Sequence, residues 1–267
     1  MTDRYAVFGN PIAHSMSQRI HSYFASLTGE DIEYGTVLVP DGEFVKQCDL
    51  FFSQGGRGCN ITVPCKLEAF AYADELTSYA QAAGAVNALK LQDDGTVLGD
   101  NTDGRGFIAD LRRLGYSAAG KRILLVGAGG AAKGIMQPLL EENPAAVTVV
   151  NRNENRAQEL VRPYGQRVKV CSYADLAAEY DLIINATSSS LNNTLPPLDD
   201  EIVAHAEAVY DLMYKKDGDT LFTNHARSLG LSWCHDGFGM LIMQAALSYE
   251  LWRGIRPDAA KAIAHFR

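Results

Sequence analysis

The chain has 267 residues, which is enough for one large domain or two smaller ones. Hydrophobic residues make up 47% of it and charged residues 21%, as is typical of a soluble globular enzyme. The formal net charge of −8 at pH 7 argues against a protein that binds nucleic acid or an anionic membrane, because both functions need basic surface patches.

Residues 1–5 run directly into a strand pattern, so we expect no signal peptide, and no apolar run approaches the roughly 18 residues of a membrane span. The five cysteines are odd in number and form no CxxC pair, which indicates reduced thiols in a cytoplasmic protein. The six histidines lack the HExxH spacing of metal ligands, so no metal is predicted. We expect a small-molecule partner, no nucleic acid and no membrane; monomer and homodimer both stay open.

The first hundred residues alternate short strands and helices. Strands are predicted at 5–9, 33–39 and 58–63, and helices at 17–26, 44–52 and 66–72. The turn Asp93-Asp94-Gly95 joins 85–91 to 96–99 as a β-hairpin. A helix over 108–114 follows and ends at Gly115.

A second α/β unit begins near Gly120. Its predicted strands are 122–126, 146–150, 168–171, 181–185 and 208–212, and helices between them give a doubly wound parallel sheet. A long helix from Met240 to Trp252 ends at the stop signals Gly254 and Pro257. We therefore expect two α/β domains with a ligand-binding cleft between them.

A glycine-rich turn follows the apolar strand 122–126. The run Gly127-Ala128-Gly129-Gly130-Ala131-Ala132 fits the pattern G-x-G-x-x-[GA] and opens into a helix. The first glycine allows the tight turn, the second lets the backbone approach a pyrophosphate, and Ala132 allows close helix–strand packing. The pyrophosphate would sit at the helix N-terminus, where free N–H groups favour negative charge. The run predicts dinucleotide binding, with an ordinary tight turn as the alternative.

The next strand indicates which dinucleotide binds. About 20 residues beyond the glycines, where an NAD site usually has an acidic residue, the chain has Asn151, Arg152 and Asn153, followed by Arg156. Guanidinium groups match a 2′-phosphate, which a carboxylate would repel. We therefore predict NADP(H). Glu154 weakens the prediction slightly, and a solvated basic helix start is the alternative.

The chain resembles the shikimate dehydrogenase family along essentially its whole length. Eight motifs carry the resemblance in chain order: Gly9-Asn10-Pro11-Ile12-Ala13-His14-Ser15-Met16-Ser17, Asn60-Ile61-Thr62-Val63-Pro64-Cys65-Lys66, Gly84-Ala85-Val86-Asn87, Gly99-Asp100-Asn101-Thr102-Asp103-Gly104, the glycine run, Asn151-Arg152, Asn185-Ala186-Thr187-Ser188, and Asp236-Gly237-Phe238-Gly239-Met240-Leu241 with Gln244. The resemblance implies an α/β substrate domain (1–103 and 238–267), to which the C-terminal helix returns, and a Rossmann-type doubly wound NADP-binding domain (104–237).

The resemblance also implies NADPH-dependent reduction of 3-dehydroshikimate to shikimate, on the route to chorismate and aromatic amino acids. Lys66 and Asp103 would form the catalytic pair. The other implied substrate-binding residues are Ser15 and Ser17 for the carboxylate, Thr62, Asn87 and Gln244 for the ring hydroxyls, and Tyr214 at the pocket wall. The implied cofactor-binding residues are Gly127, Ala128, Gly129, Gly130, Ala131, Asn151, Arg152, Asn153, Arg156, Thr187, Leu212 and Gly237.

These residue types suit the reaction on chemical grounds. A hydride that reaches a ketone carbon creates charge on the oxygen, which a protonated Lys66 can stabilise and protonate. A neighbouring Asp103 would orient the amine and keep it charged. Simpler explanations remain for single residues: Lys66 as a surface lysine at a helix start, Asp103 as a helix N-cap, Ser15 and Ser17 as caps, and Tyr214 as ordinary packing.

Eight residues depart from the usual family pattern: Met16, Gln18, Cys65, Ser78, Ala88, Ser190, Leu221 and Phe222. Met16 stands where lysine is usual, so we hypothesise a weaker carboxylate site. Two other functions stay open: a paralogue that acts on quinate or a related hydroxy acid, with NAD as a possible cofactor, and a non-catalytic NADP-binding regulator. The arginine pair argues against NAD, and the intact Lys66 and Asp103 argue against a regulator.

Overall fold

The computed structural model describes residues 2–177, 179–189, 193–215 and 218–267. Ser190, one of the departures named above, lies outside the described residues. The chain forms two compact units, Met1–Gly106 with Leu241–Arg267, and Phe107–Met240. The sequence prediction placed the corresponding domain boundaries after residues 103 and 237. In the part of the chain that is described, no helix combines the length and apolar character needed to span a membrane.

The first unit is built on a six-stranded mixed sheet of order β2-β1-β3-β5-β6-β4. Its elements in chain order are β1 (Asp3–Gly9), α1 (Ser17–Thr28), β2 (Ile32–Leu38), α2 (Phe44–Ser53), β3 (Gly56–Ile61), α3 (Lys66–Tyr72), β4 (Glu75–Leu76), α4 (Ser78–Ala83), β5 (Ala88–Leu91), β6 (Val97–Asp100) and the start of α5 (Asp103–Arg113). Strand β1 pairs in parallel with β2 and β3, whereas β3, β5 and β6 are antiparallel neighbours.

Strand β1 is buried on both faces, which explains its continuous apolar sequence. Phe8 points to one side, where its ring centroid lies 5.4 Å from that of Phe51 in α2. Tyr5 points to the other side and stacks on Trp252 with the ring centroids 4.8 Å apart. Helices therefore cover both faces of this sheet and form two apolar layers.

The second unit is a parallel sheet of order β12-β11-β10-β7-β8-β9. Its elements are β7 (Arg122–Val126), α6 (Gly130–Glu141), β8 (Ala146–Val150), α7 (Glu154–Val161), β9 (Val168–Cys171), β10 (Leu182–Asn185), α8 (Asp200–Ala204), β11 (Ala208–Asp211), α9 (Leu221–Ser228) and β12 (Trp233–Asp236), with short 3-10 helices at Arg162–Arg167 and Tyr173–Asp175. Every pair of neighbouring strands is parallel. The strand order reverses at β7, so the predicted doubly wound sheet is confirmed.

The chain passes between the units within α5 and within α10 (Phe238–Arg253), and it ends with α11 (Ala259–Phe266). The C-terminal part of α10 packs on the first sheet, where Trp252 Nε1 donates to Leu89 O at 2.9 Å. A Cβ at Gly58 would lie 2.5 Å from Trp252 Nε1, so this close approach requires glycine. Helix α11 packs on α1 through His265, which stacks on Tyr23. The predicted return of the C-terminal helix to the first domain is confirmed.

Several predicted boundaries were wrong. Helix α5 begins at Asp103 instead of residue 108, and the sequence pattern did not predict β4, α4, α11 or β12. Strand β12 has the sequence Trp-Cys-His-Asp, which lacks a long apolar run although its alternate residues are buried. The first turn of α5 contains Gly104 and Gly106, which weaken helix propensity and hide the helix start.

Candidate functional site

A lysine–aspartate pair lies at the start of two helices of the first unit. Lys66 is the first residue of α3 and Asp103 the first residue of α5, and Lys66 Nζ lies 2.5 Å from Asp103 Oδ2. The Lys66 side chain is 29% exposed and that of Asp103 13%. The pair is therefore shielded from bulk water but can be reached by a small ligand. Lys66 is not a freely solvated surface lysine.

The second oxygen of Asp103 is also engaged. Asn87 Nδ2 donates to Asp103 Oδ1 at 2.8 Å and lies 3.0 Å from Thr102 Oγ1 and 3.3 Å from Gln244 Oε1. Asn87 Oδ1 in turn accepts from the Thr102 N–H at 2.8 Å. The buried Asn87 amide is thus fixed on both sides, and it holds the Asp103 carboxylate in one orientation. Asp103 is part of this network and not the N-cap of α5.

Gln244 reaches this network from α10 because the facing residue of α5 is a glycine. A Cβ at Gly106 would lie 2.7 Å from both Cβ and the backbone N of Gln244. The Gln244 amide also donates to Leu241 O at 2.9 Å, which fixes which end of the side chain faces Asn87. Four predicted site residues, Lys66, Asn87, Asp103 and Gln244, therefore come together.

Sequence reasoning assigned no role to three further buried polar residues behind this network. Tyr34 Oη donates to Asn60 Oδ1 at 2.8 Å, and Asn60 Nδ2 donates to Ser248 Oγ at 2.8 Å. Ser248 Oγ lies 3.3 Å from Thr102 Oγ1, which joins the two sets. Burial raises the pKa of Tyr34 well above its usual range, although a hydrogen bond with Ser17 opposes this, so the phenol stays a donor. The sequence feature that could have indicated this network is Asn60, a polar residue among the buried residues of β3.

The other residues predicted for the substrate are not part of the hydrogen-bond network around Asp103. Ser15 Oγ accepts from the Ser17 N–H at 3.2 Å, just before α1, whose N-cap residue Met16 makes no side-chain capping hydrogen bond. Thr62 follows β3 and is half-buried. Tyr214 belongs to the second unit, where its ring centroid lies 6.0 Å from that of Phe238. Burial and the charge of Asp236 raise the pKa of Tyr214.

The residues that depart from the family pattern differ in burial. Met16 is half-buried at the start of α1 and Gln18 is exposed. Cys65 and Ala88 are core residues at 1% and 0% exposure, so neither presents its side chain to a ligand. Burial, with a smaller contribution from Glu68, raises the pKa of Cys65 to about 11, so its thiol is neutral beside Lys66 at pH 7.

The predicted cofactor residues lie at the carboxyl ends of the strands in the second unit. Gly127 has φ +110°, and a Cβ there would lie 3.0 Å from the backbone of Ala186, so only glycine fits the turn. Gly129 is the N-cap of the 12-residue helix α6. A Cβ at Gly129 or Gly130 would meet nothing within 4 Å, so open space lies in front of the helix N-terminus. This arrangement suits an anionic group that approaches the backbone.

The end of β8 carries the predicted selectivity residues. Asn151 Nδ2 donates to Asn153 O at 2.8 Å, and Asn153 Oδ1 caps α7 by accepting from the Arg156 N–H at 3.3 Å. Arg152 and Arg156 are exposed, and neither forms an ion pair with any residue in the described ranges. The helix start is thus an ordinary capped one, and both guanidinium groups stay available to a phosphate.

The neighbouring strand ends are fixed by a second polar network. Thr187 Oγ1 donates to Asn185 Oδ1 at 2.7 Å, and Asn185 Nδ2 donates to Asp211 Oδ1 at 3.1 Å. A Cβ at Gly237 would lie 2.2 Å from Leu212 O. Only glycine therefore fits at this position, where the chain leaves β12 and passes close to Leu212. The predicted residues Thr187, Leu212 and Gly237 therefore lie on adjacent strand ends. Among the described residues, no group of three or more His, Cys, Asp or Glu side chains is placed to hold a metal ion.

Comparison with known proteins identifies the family. Residues 7–89 match the shikimate dehydrogenase substrate binding domain, residues 111–208 match shikimate / quinate 5-dehydrogenase, and residues 237–264 match the shikimate 5'-dehydrogenase C-terminal domain. Shikimate dehydrogenase (NADP(+)) of Cellvibrio japonicus is 48% identical over 270 residues, covering 100% of this chain and 98% of that protein. The enzyme of the same name from Vibrio cholerae is 48% identical, with coverage of 99% and 96%.

Solved structures give the same result. An Ael1 enzyme from Pseudomonas putida has a TM-score of 0.95 at 40% identity, covering 99% of this chain and 98% of that one. Shikimate 5-dehydrogenase from Thermus thermophilus, in complex with NADP(H) and shikimate, has a TM-score of 0.88 at 32% identity and covers 100% of both chains. This chain belongs to the shikimate dehydrogenase family.

Proposed function

We propose that this protein is an NADP(H)-dependent shikimate dehydrogenase that reversibly reduces 3-dehydroshikimate to shikimate. The observation that carries the proposal is the 2.5 Å Lys66–Asp103 pair, whose carboxylate is fixed by Asn87. A module that only binds dinucleotide has no need of such a pair. The names of the relatives from Cellvibrio and Vibrio, and the shikimate and NADP(H) complex from Thermus, support the same substrate and cofactor.

The residues of the first unit suit a small polyhydroxylated acid. Ser15 and Ser17 would bind the carboxylate, while Thr62, Asn87 and Gln244 would bind the ring hydroxyls, since hydroxyl and amide groups offer both donors and acceptors. Tyr214, a residue of the second unit, is a further candidate substrate-binding residue. In this proposal, residues 1–103 and 238–267 bind substrate and residues 104–237 bind NADP(H).

NADPH, when bound, supplies the hydride that reaches the ketone carbon. Negative charge then develops on the carbonyl oxygen, and the Lys66 ammonium stabilises this charge and donates one proton to it. Asp103 orients the amine through its hydrogen bond, and Asn87 holds the second oxygen of the carboxylate. Solvent returns a proton to Lys66 after each turnover. The reverse reaction uses the same atoms, with Lys66 accepting the hydroxyl proton.

The second unit fits NADP(H) on its own geometry. The pyrophosphate would lie on the open N-terminus of α6, against the backbone of Gly127 to Ala131. Arg152 and Arg156, with Asn151 and Asn153 beside them, would bind the 2′-phosphate. Thr187, Leu212 and Gly237 would also contact the cofactor. All five cysteines are free thiols, which supports a reducing, cytoplasmic location.

The test follows absorbance at 340 nm with purified protein, shikimate and either NADP⁺ or NAD⁺. We expect robust NADP⁺ reduction, much weaker NAD⁺ reduction, and loss of activity in Lys66→Ala with NADP⁺ binding retained. If the cofactor is reduced with quinate but not with shikimate, the substrate is quinate and the assignment to shikimate is wrong. Tight NADPH binding without turnover of either acid would show that the protein binds NADPH but is not a dehydrogenase for these acids.

A further inference from the structure

Arg105 lies in the first turn of α5, two residues after Asp103. Its guanidinium forms an ion pair with the Asp100 carboxylate, which is 3% exposed at the end of β6. The guanidinium also lies over the ring of Tyr79 in α4, 4.7 Å from the ring centroid, which is a favourable cation–π distance. A single side chain thus contacts both the end of β6 and α4.

Asp100 is the centre of this cluster. Its Oδ1 accepts from Thr77 Oγ1 at 2.6 Å and from the Asn101 N–H at 2.8 Å. Thr77 Oγ1 also accepts from the Ala80 N–H, so it caps the helix that carries Tyr79. The Arg105–Asp100 pair therefore joins α4, β6 and α5 at one point. We call Thr77, Tyr79, Asp100 and Arg105 the Arg105 cluster.

The Arg105 cluster is connected to the catalytic carboxylate through Asn101. Asn101 Oδ1 accepts from the Asp103 N–H at 3.2 Å, and Asn101 Nδ2 donates to Ala85 O at 3.0 Å. The Asp100 backbone carbonyl accepts from the Asn87 N–H at 3.0 Å. Fixing Asp100 therefore also fixes the backbone of Asn87 and Asn101, the two residues that orient Asp103 toward Lys66.

The geometry of Arg105 includes a cost to stability. Its Nε is buried and has no hydrogen-bond partner among the described residues. A buried donor without a partner opposes folding. The guanidinium instead contacts the Asp100 carboxylate and the Tyr79 ring at the same time.

We propose that Arg105 is a positioning residue for the reaction, which holds Asp103 at the distance and angle that Lys66 requires by clamping Asp100 and α4 against the start of α5. This inference rests on the proposed function. Misplacement of a catalytic group by about 1 Å can lower the rate roughly 100-fold, so an anchor two residues away from Asp103 acts on kcat. Arg105 need not touch the substrate.

The test compares Arg105→Met and Arg105→Lys with Arg57→Met. Arg57 also pairs with an aspartate of the first unit, Asp3 at 3.5 Å, but at the start of β3, whereas the site lies beyond the other end of that strand. We expect Arg105→Met to lower kcat roughly 10- to 100-fold with the Kd for NADP⁺ unchanged. Arg105→Lys or added guanidinium chloride should restore part of kcat, and Arg57→Met should match the wild type.

Amide hydrogen exchange gives a readout that does not depend on turnover. We expect the Asn101, Thr102 and Asp103 amides to exchange faster in Arg105→Met and at the wild-type rate in Arg57→Met. If Arg105→Met fails to fold because Asp100 is left buried and unpaired, Asp100→Asn with Arg105→Met removes that charge and should show the same faster exchange.

A folded Arg105→Met with wild-type exchange at residues 101–103 overturns the positioning role, whatever the activity. Loss of NADP⁺ binding and thermal stability in parallel with kcat also overturns it, since that pattern indicates a merely structural residue. A wild-type protein without shikimate-dependent NADP⁺ reduction refutes the proposed function instead, and the exchange data still decide whether Arg105 holds Asp103.

Discussion

His21 couples the stability of the first unit to pH. Its imidazole is fully buried on α1, with the ring centroids of Tyr34 and Trp252 at 4.3 and 5.2 Å. Burial lowers the pKa of His21 from 6.5 to about 3. Neither ring nitrogen has a hydrogen-bond partner within the described ranges. The folded protein therefore keeps His21 neutral under conditions in which the unfolded chain protonates it.

The unfolded chain binds one more proton at this position between pH 6.5 and about 3, so the free energy of unfolding falls as the pH drops through that window. At 1.36 kcal/mol per pH unit, the loss is about 2 kcal/mol at pH 5 and approaches about 5 kcal/mol near pH 3. Above pH 7 both states are neutral, and His21 adds no pH dependence.

We expect His21→Phe to remove this part of the pH dependence. Urea unfolding followed by tryptophan fluorescence between pH 5 and 7.5 measures it, because Trp252 lies against His21. The larger ring adds a packing cost, but that cost is the same at every pH, so the slope is the diagnostic quantity. His265→Phe, at an exposed histidine stacked on Tyr23, is the matched control and should keep the wild-type slope. Equal slopes for His21→Phe and wild type between pH 5 and 6.5 would refute the reasoning.

Four further changes test the site. Asn87→Ala frees the second oxygen of Asp103 and should lower kcat/KM roughly 100-fold in the 340 nm assay, with the Kd for NADP⁺ unchanged. Arg152→Ala with Arg156→Ala should raise KM for NADP⁺ at least tenfold but not KM for NAD⁺, since charge-assisted bonds contribute about 1.5–3 kcal/mol each. Gly127→Ala, at φ +110°, should abolish NADP⁺ binding in calorimetry and lower thermal stability by about 1–3 kcal/mol. Met16→Lys should lower KM for shikimate a few-fold, as an exposed ion pair of up to about 1 kcal/mol allows, and an unchanged KM would contradict the hypothesis of a weakened carboxylate site.

The central strands β7, β10 and β11 of the second sheet were predictable because they are buried on both faces. The predicted strands 122–126, 146–150 and 168–171 agree with β7, β8 and β9 residue for residue. Short β-branched apolar runs bounded by glycine and polar residues have few alternatives to a parallel strand. The glycine turn also follows local rules, since Gly127 requires positive φ in the position where the sequence pattern puts the first glycine.

The connections within the first unit were not predictable from local pattern. The contact of Asp100 with Thr77 and Arg105 depends on β4 lying beside β6, and β4 is only two residues long. The same holds for Asn60 and Ser248, which are 188 residues apart in the chain. Hydrophobic periodicity indicates which face is buried but not which strand ends meet. A buried amide indicates that a partner exists and leaves the partner undetermined.

The missed start of α5 follows from the site itself. A helix that begins Asp-Gly-Arg-Gly lacks both apolar spacing and good helix formers, yet three of these four residues are placed by a specific contact. Asp103 pairs with Lys66, Arg105 pairs with Asp100, and Gly106 leaves room for Gln244. Local propensity is weak there because the side chains are used for tertiary contacts, and those contacts supply the stability that the first turn lacks. Replacing Gly106 by alanine, a better helix former, should therefore weaken this site instead of strengthening the helix, because its Cβ would displace Gln244 from Asn87.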